Sequence, residues 1–166
     1  MPHRVNLVQE RQMFNLENRF TNGLIAGAAG GITMNIFSLF DYHVIHGTRL
    51  TFLDWSAVML YGERTQSLWG NIFAMIAQII FTSFLGVIFA YVVVKIEDRS
   101  YIFKGWYYGI ACWLTIYGVD ILLKLHDLDR IPVKTAVSNF LGSSVFGITL
   151  GYILWRLDIR EAVADD

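Results

Sequence analysis

Asp41, His43 and His46 lie just past the first apolar stretch of the chain, and His126, Asp127 and Asp129 lie just past the third. Imidazole and carboxylate are ligands for zinc, manganese or iron. Asp41, His43, His46 and His126 are therefore a candidate metal set, provided that the two segments meet in space. The spacing Asp-x-His-x-x-His lacks the i, i+4 histidine pair of a helical zinc site. A pH-responsive surface cluster is a second reading of the same residues. Ordinary solvated loop side chains are the favoured one. No histidine falls inside an apolar stretch, which argues against axial haem ligation there.

A second set of polar residues lies within or near the apolar stretches: Asn35, Gln78, Asp120 and Asn139. They are the candidate polar intramembrane site. A charge in hydrocarbon costs roughly 2.5–3.5 kcal/mol on insertion scales, so Asp120 is the most informative of the four. Lys124 follows it at i+4 on the same helix face. Either the two pair and reach toward the interface, or Asp120 faces inward as a proton or cation site. Asn35, Gln78 and Asn139 read as hydrogen-bonding glue between helices.

Patterns for catalysis are missing. The sequence has no serine nucleophile elbow, no phosphate-binding glycine loop and no metalloprotease histidine pair. Ser143 and Ser144 have no histidine partner in an apolar stretch. No catalytic residue and no cofactor is expected, and the reading leans away from an enzyme. The single cysteine, Cys112, excludes an internal disulfide and paired-thiol redox chemistry. A net charge of −1 gives no basic footprint for nucleic acid.

The elements that must position these residues are four apolar stretches, Asn22–Asp41, Ile72–Val94, Ile102–Leu125 and Val133–Trp155. About 20 apolar residues cross a hydrocarbon core of roughly 30 Å. The chain has 166 residues, 55% of them hydrophobic and 16% charged, too much apolar surface to hide in a soluble fold of this length. The expected class is all-α, a polytopic integral membrane protein built as a four-transmembrane-helix bundle. Residues 1–21 form a cytosolic amino-terminal arm, 22–156 the membrane domain and 157–166 an acidic cytosolic tail. Leu7, Met13, Leu16 and Phe20 could line one side of a surface helix in the arm.

Positive residues favour the cytosolic side. Arg4, Arg11, Arg19, Lys95, Arg99, Lys104, Arg156 and Arg160 fall on one side of a four-span chain; Arg49, Arg64, Lys124, Arg130 and Lys134 fall on the other. Both termini are therefore expected in the cytosol. Residues 42–70 form the outer loop. Within it, Thr51 and Asp54 fit a capping box, Phe52, Trp55 and Met59 recur at helical spacing, and Gly62 supplies a stop. Ten residues rise only about 15 Å. The expected element is a short interfacial helix on the outer leaflet, with a re-entrant piece as the alternative.

Small residues at four-residue spacing let membrane helices approach closely. Gly23, Gly27, Gly30 and Gly31 mark the first stretch, Gly86 and Ala90 the second, Gly105 and Gly109 the third, Gly147 and Gly151 the fourth. The run Gly23–Gly31, the segment Gly105-Trp106-Tyr107-Tyr108-Gly109-Ile110-Ala111-Cys112-Trp113 and the segment Gly147-Ile148-Thr149-Leu150-Gly151-Tyr152 together resemble the YqhR-type membrane proteins of spore-forming Gram-positive bacteria. The first loop departs from that family in lacking prolines. The resemblance implies four spans and a bacterial plasma membrane, and adds no reaction. Three functions compete. The first is a structural or accessory component acting through helix contacts, with the lipid bilayer and either further copies or another membrane protein as partners. The second is a small channel or transporter subunit using Asp120 in an oligomeric pore. The third is an outward-facing metal-binding protein.

Overall fold

The computed structural model describes residues 2–48, 50–93, 100–123 and 131–164, and the side chains of 18–48, 50–92, 100–120, 122 and 131–159. All elements among these residues are helical. Helix α1 is Pro2–Phe40 and passes into a π-helical turn, Asp41–Ile45. Helix α2 is Phe52–Tyr61, and α3, Leu68–Ile88, passes into a second π-helical turn, Phe89–Val93. Helices α4, Tyr101–Leu123, and α5, Val133–Ala164, complete the chain. The two prolines leave these helices unbroken. Pro2 opens α1, and Pro132 immediately precedes α5, positions where the missing N–H is no loss. The arm is continuous with the first apolar helix, with no break near residue 21.

Across the bundle the helices pack in the order α3, α1, α5, α4. Glycine sets the two outer pairings. A methyl group at Gly23 would lie 2.8 Å from the Cα of Val87, and one at Gly86 2.7 Å from the Cα of Gly27. On the other side, a methyl at Gly105 would lie 3.0 Å from the Cα of Gly151, and one at Gly109 3.0 Å from the Cα of Gly147. Residue numbers rise along one helix as they fall along its neighbour, so both pairs are antiparallel. The central seam between α1 and α5 adds side chains to one close backbone approach, at Gly30 against the Phe146 carbonyl. Gly30 receives the ring of Phe146, Thr33 Oγ1 donates to Thr149 Oγ1 at 3.2 Å, and Ala26, Met34, Phe146 and Leu150 share one core with Phe89 and Ala90.

Helices α3 and α4 close the row only near the second π-helical turn. There the Tyr108 hydroxyl donates to the Leu85 carbonyl at 2.9 Å, and the Phe89 and Tyr108 rings lie 5.3 Å apart. At the opposite end the gap is filled by α2. The Thr51–Asp54 capping box is formed, with Asp54 N–H donating to Thr51 Oγ1 at 3.2 Å and Thr51 N–H to Asp54 Oδ2 at 2.7 Å. Gly62, at φ 79°, ends the helix in the left-handed region where glycine is favoured. Trp55, Ala57 and Val58 are buried, and Trp55 stacks on Tyr117 of α4 with centroids 5.0 Å apart. The ring of Phe52 lies against Gly142 of α5. Helix α2 packs against the bundle through Trp55, Ala57 and Val58, while Met59, Leu60 and Tyr61 are exposed. Its sole charge, Asp54, is tied up in the cap.

Beside its apolar core the bundle buries an unusual share of polar side chains and turns large apolar ones outward. Buried side chains include Asn35, Ser38, Gln78, Thr82, Thr135, Ser138, Asn139, Ser143 and Ser144. The outward side of α3 carries Leu68, Trp69, Phe73, Ile76, Ile80 and Phe84, all exposed. Among the described residues three stretches are long and apolar enough to cross a bilayer: Asn18–Ile45, Leu68–Val92 and Val133–Ile159, with mean hydropathies of 1.5, 2.3 and 1.4. Helix α4 forms where the third of the four expected stretches, Ile102–Leu125, lies, but is not among them. Lys104, Asp120 and a high share of tryptophan and tyrosine lower its hydropathy.

Candidate functional site

Gln78 stands at the middle of α3 and is 7% exposed. It faces a cavity of about 70 Å³ between α3 and α4, under α2. Helix α2 contributes Phe52, Trp55 and Met59; α4 contributes Cys112, Trp113 and Tyr117; α1 and α5 contribute Met34 and Phe146. These residues come together because α3 and α4 diverge below the Tyr108–Leu85 contact, and α2 is too short to fill the space completely. Among the described residues no charged side chain lines the cavity. The Gln78 Oε1 acceptor has no hydrogen-bond partner, and neither does the Trp55 Nε1–H donor. Both are buried, and buried polar groups normally find partners.

Asn35, Gln78, Asp120 and Asn139 do not converge on one point. Asn35 Nδ2 donates back to Gly31 of its own helix at 2.9 Å, so it does not bridge helices. Asn139 does bridge, donating from Nδ2 to the Tyr117 hydroxyl at 2.9 Å and so joining α5 to α4. Asp120 is buried on the turn after Tyr117. Tyr117 lines the cavity that Gln78 faces. Gln78, Tyr117 and Asn139 thus form a loose succession across the bundle, and Asn35 stands apart. Lys124, the expected partner of Asp120, lies outside the described residues.

Of the candidate metal residues, Asp41, His43 and His46 lie within the described residues. Asp41 is buried in the first π-helical turn, and Ser138 Oγ of α5 donates to its Oδ2 at 2.5 Å. His43 and His46 are exposed. Nδ1 of His46 lies 3.0 Å from the Tyr42 carbonyl, and the His43 ring meets Tyr42 edge-on with centroids 5.0 Å apart. Among the described residues no three His, Cys, Asp or Glu side chains are placed to hold a metal ion. His126, Asp127 and Asp129 lie outside the described residues.

The residues that sequence reasoning missed are Trp55 and Cys112 as cavity walls. One signal was available. Phe52, Leu53, Trp55, Ala57, Val58, Met59 and Leu60 leave α2 apolar nearly all round, the mark of a helix that packs against others, as Trp55, Ala57 and Val58 do here. Cys112 carries no comparable signal. No protein-family model, curated protein or solved structure matches the chain.

Proposed function

We propose that this chain is a multi-pass integral membrane protein of four spans. In this reading it acts as a non-enzymatic accessory component, through contacts with another membrane protein or with further copies of itself. The carrying observation is the packing, with amides and hydroxyls inside beside the apolar core and bulky apolar residues outside. Lipid is the solvent that suits such a surface. Helix α4 is taken as the remaining span, third in chain order. Its 23 residues rise about 34 Å, it lies along α5, and it turns Phe103, Tyr107, Leu114 and Leu122 outward. The excess of Lys and Arg at the end holding both termini supports a cytosolic placement for them. A bacterial plasma membrane and kinship with the YqhR-type proteins belong to the same proposal. They are supported by the segments Gly105–Trp113 and Gly147–Tyr152, which carry the α4–α5 contact.

The channel and metal readings gain less. Asn35 is bonded within its own helix, and Asp41 is bound to Ser138. Extraction in a mild detergent, followed by native mass spectrometry, tests the accessory role. A stoichiometric complex with itself or with another membrane protein is the expected result. A strictly monomeric, partner-free particle overturns it.

A further inference from the structure

We propose that the cavity between α3 and α4 binds a neutral lipid bearing a hydroxyl group. The inference rests on the chain being embedded in a bilayer. Gln78 and Trp55, 7% and 5% exposed, line the cavity with an acceptor and a donor that the protein leaves open. In hydrocarbon no bulk water answers such groups. A hydroxyl both donates and accepts, so it is the smallest substituent that suits an open acceptor and an open donor. No charged side chain among the described residues lines the cavity, so an ionised head group would be buried there without a counterpart among them.

Access is sideways. Half-buried Cys112 and exposed Phe81 stand on the two edges of the gap between α4 and α3. One water needs roughly 10–15 Å³ of such space. The 70 Å³ here holds a hydroxyl and a few methylene groups, with the rest of the chain lying out in the bilayer. Water is the competing occupant, since it also donates and accepts, and the test must separate the two. Diacylglycerols and long-chain or isoprenoid alcohols share the required chemistry.

Cys112 is the chain's lone thiol and lines the cavity, so its alkylation reports occupancy. Full-length protein in phosphatidylcholine nanodiscs is treated with a small membrane-permeant maleimide. Dioleoylglycerol, farnesol or dodecanol is included in the bilayer, each set against its acetate ester, which accepts but cannot donate. At least one alcohol is expected to slow alkylation fivefold or more, and its ester less than twofold. The most protective alcohol identifies the source of the lipid. In Gln78→Met the difference between alcohol and ester disappears, while the lipid-free alkylation rate stays within twofold of the parent. Trp55→Phe serves as the second variant, with the alcohol's protection reduced. The comparison of alcohol with ester on the parent decides the matter even if both variants misfold. Equal protection by the two, or none by any lipid, overturns the proposal and leaves water as the occupant. Alkaline carbonate treatment of native membranes separates this failure from that of the membrane reading. Release of the protein sinks the latter, whereas retention without lipid protection sinks only the cavity assignment.

Discussion

Asn35, Gln78 and Asn139 are three amides in apolar helices, and they end in three environments. One bonds to its own helix, one faces a cavity, and one crosses to a neighbour. Their presence inside the bundle was legible in the sequence, because polar atoms in hydrocarbon turn inward. Their partners were not, because partner choice depends on helix rotation, which residue type does not encode. The Asn139–Tyr117 bond gives a direct test. A double-mutant cycle with Asn139→Ala and Tyr117→Phe should return a coupling of about 0.6 kcal/mol and no more than about 1.7, as found for hydrogen bonds between membrane helices. Unfolding in mixed micelles with increasing SDS reads it, and a coupling indistinguishable from zero means that the two side chains do not meet. The candidate metal residues show the same limit from the other side. Asp41 and His43 are two positions apart, yet a π-helical turn buries the first and exposes the second.

Among the elements, glycine spacing was the most informative signal, and its consequence is internal. Gly23, Gly27 and Gly86 serve the α1–α3 contact; Gly105, Gly109, Gly147 and Gly151 serve the α4–α5 contact. Two glycines on α4 separate packing from mere composition. Gly109→Ala drives a methyl group into the Ser143 carbonyl and should destabilise the protein by about 1–3 kcal/mol. Nothing lies within 4 Å of the corresponding methyl at Gly118, so Gly118→Ala should be neutral or stabilising by up to about 1 kcal/mol. Thermal unfolding in detergent compares the two, and equal effects would contradict the packing. Helix α2 was legible in its ends but not in the side chains it packs against. The cap and the stop are local chemistry, whereas its contacts depend on the width of the gap that α3 and α4 leave. Thr51→Ala removes the cap and should cost about 1 kcal/mol. Faster hydrogen exchange confined to Phe52–Tyr61 is the expected signature, and unchanged exchange there would count against the cap's role.

For the whole molecule, the antiparallel pairing of α1 with α5 puts the start of the chain and its end at the same end of the bundle. Epitope tags on the two termini should therefore be cleaved together by a protease added to one face of sealed vesicles. Cleavage from opposite faces would refute the arrangement. The all-helical class and the three most apolar helices were legible in the sequence, because hydropathy and length are summed properties that do not depend on detail. Which helices are neighbours was not legible, since every span offers a glycine edge to every other.

The contrast between glycine contacts and side-chain contacts has a mechanical consequence. Helices that touch backbone to backbone have little room to slide, so α1–α3 and α4–α5 behave as two stiff boards. Their common spine is the α1–α5 seam, where both the ring and the carbonyl of Phe146 sit on Gly30. The free edges of the boards are α3 and α4, clasped at one end by the Tyr108 hydroxyl and wedged at the other by Trp55. Any parting of those edges has to break the clasp first, so the Tyr108–Leu85 bond is the latch of the slot.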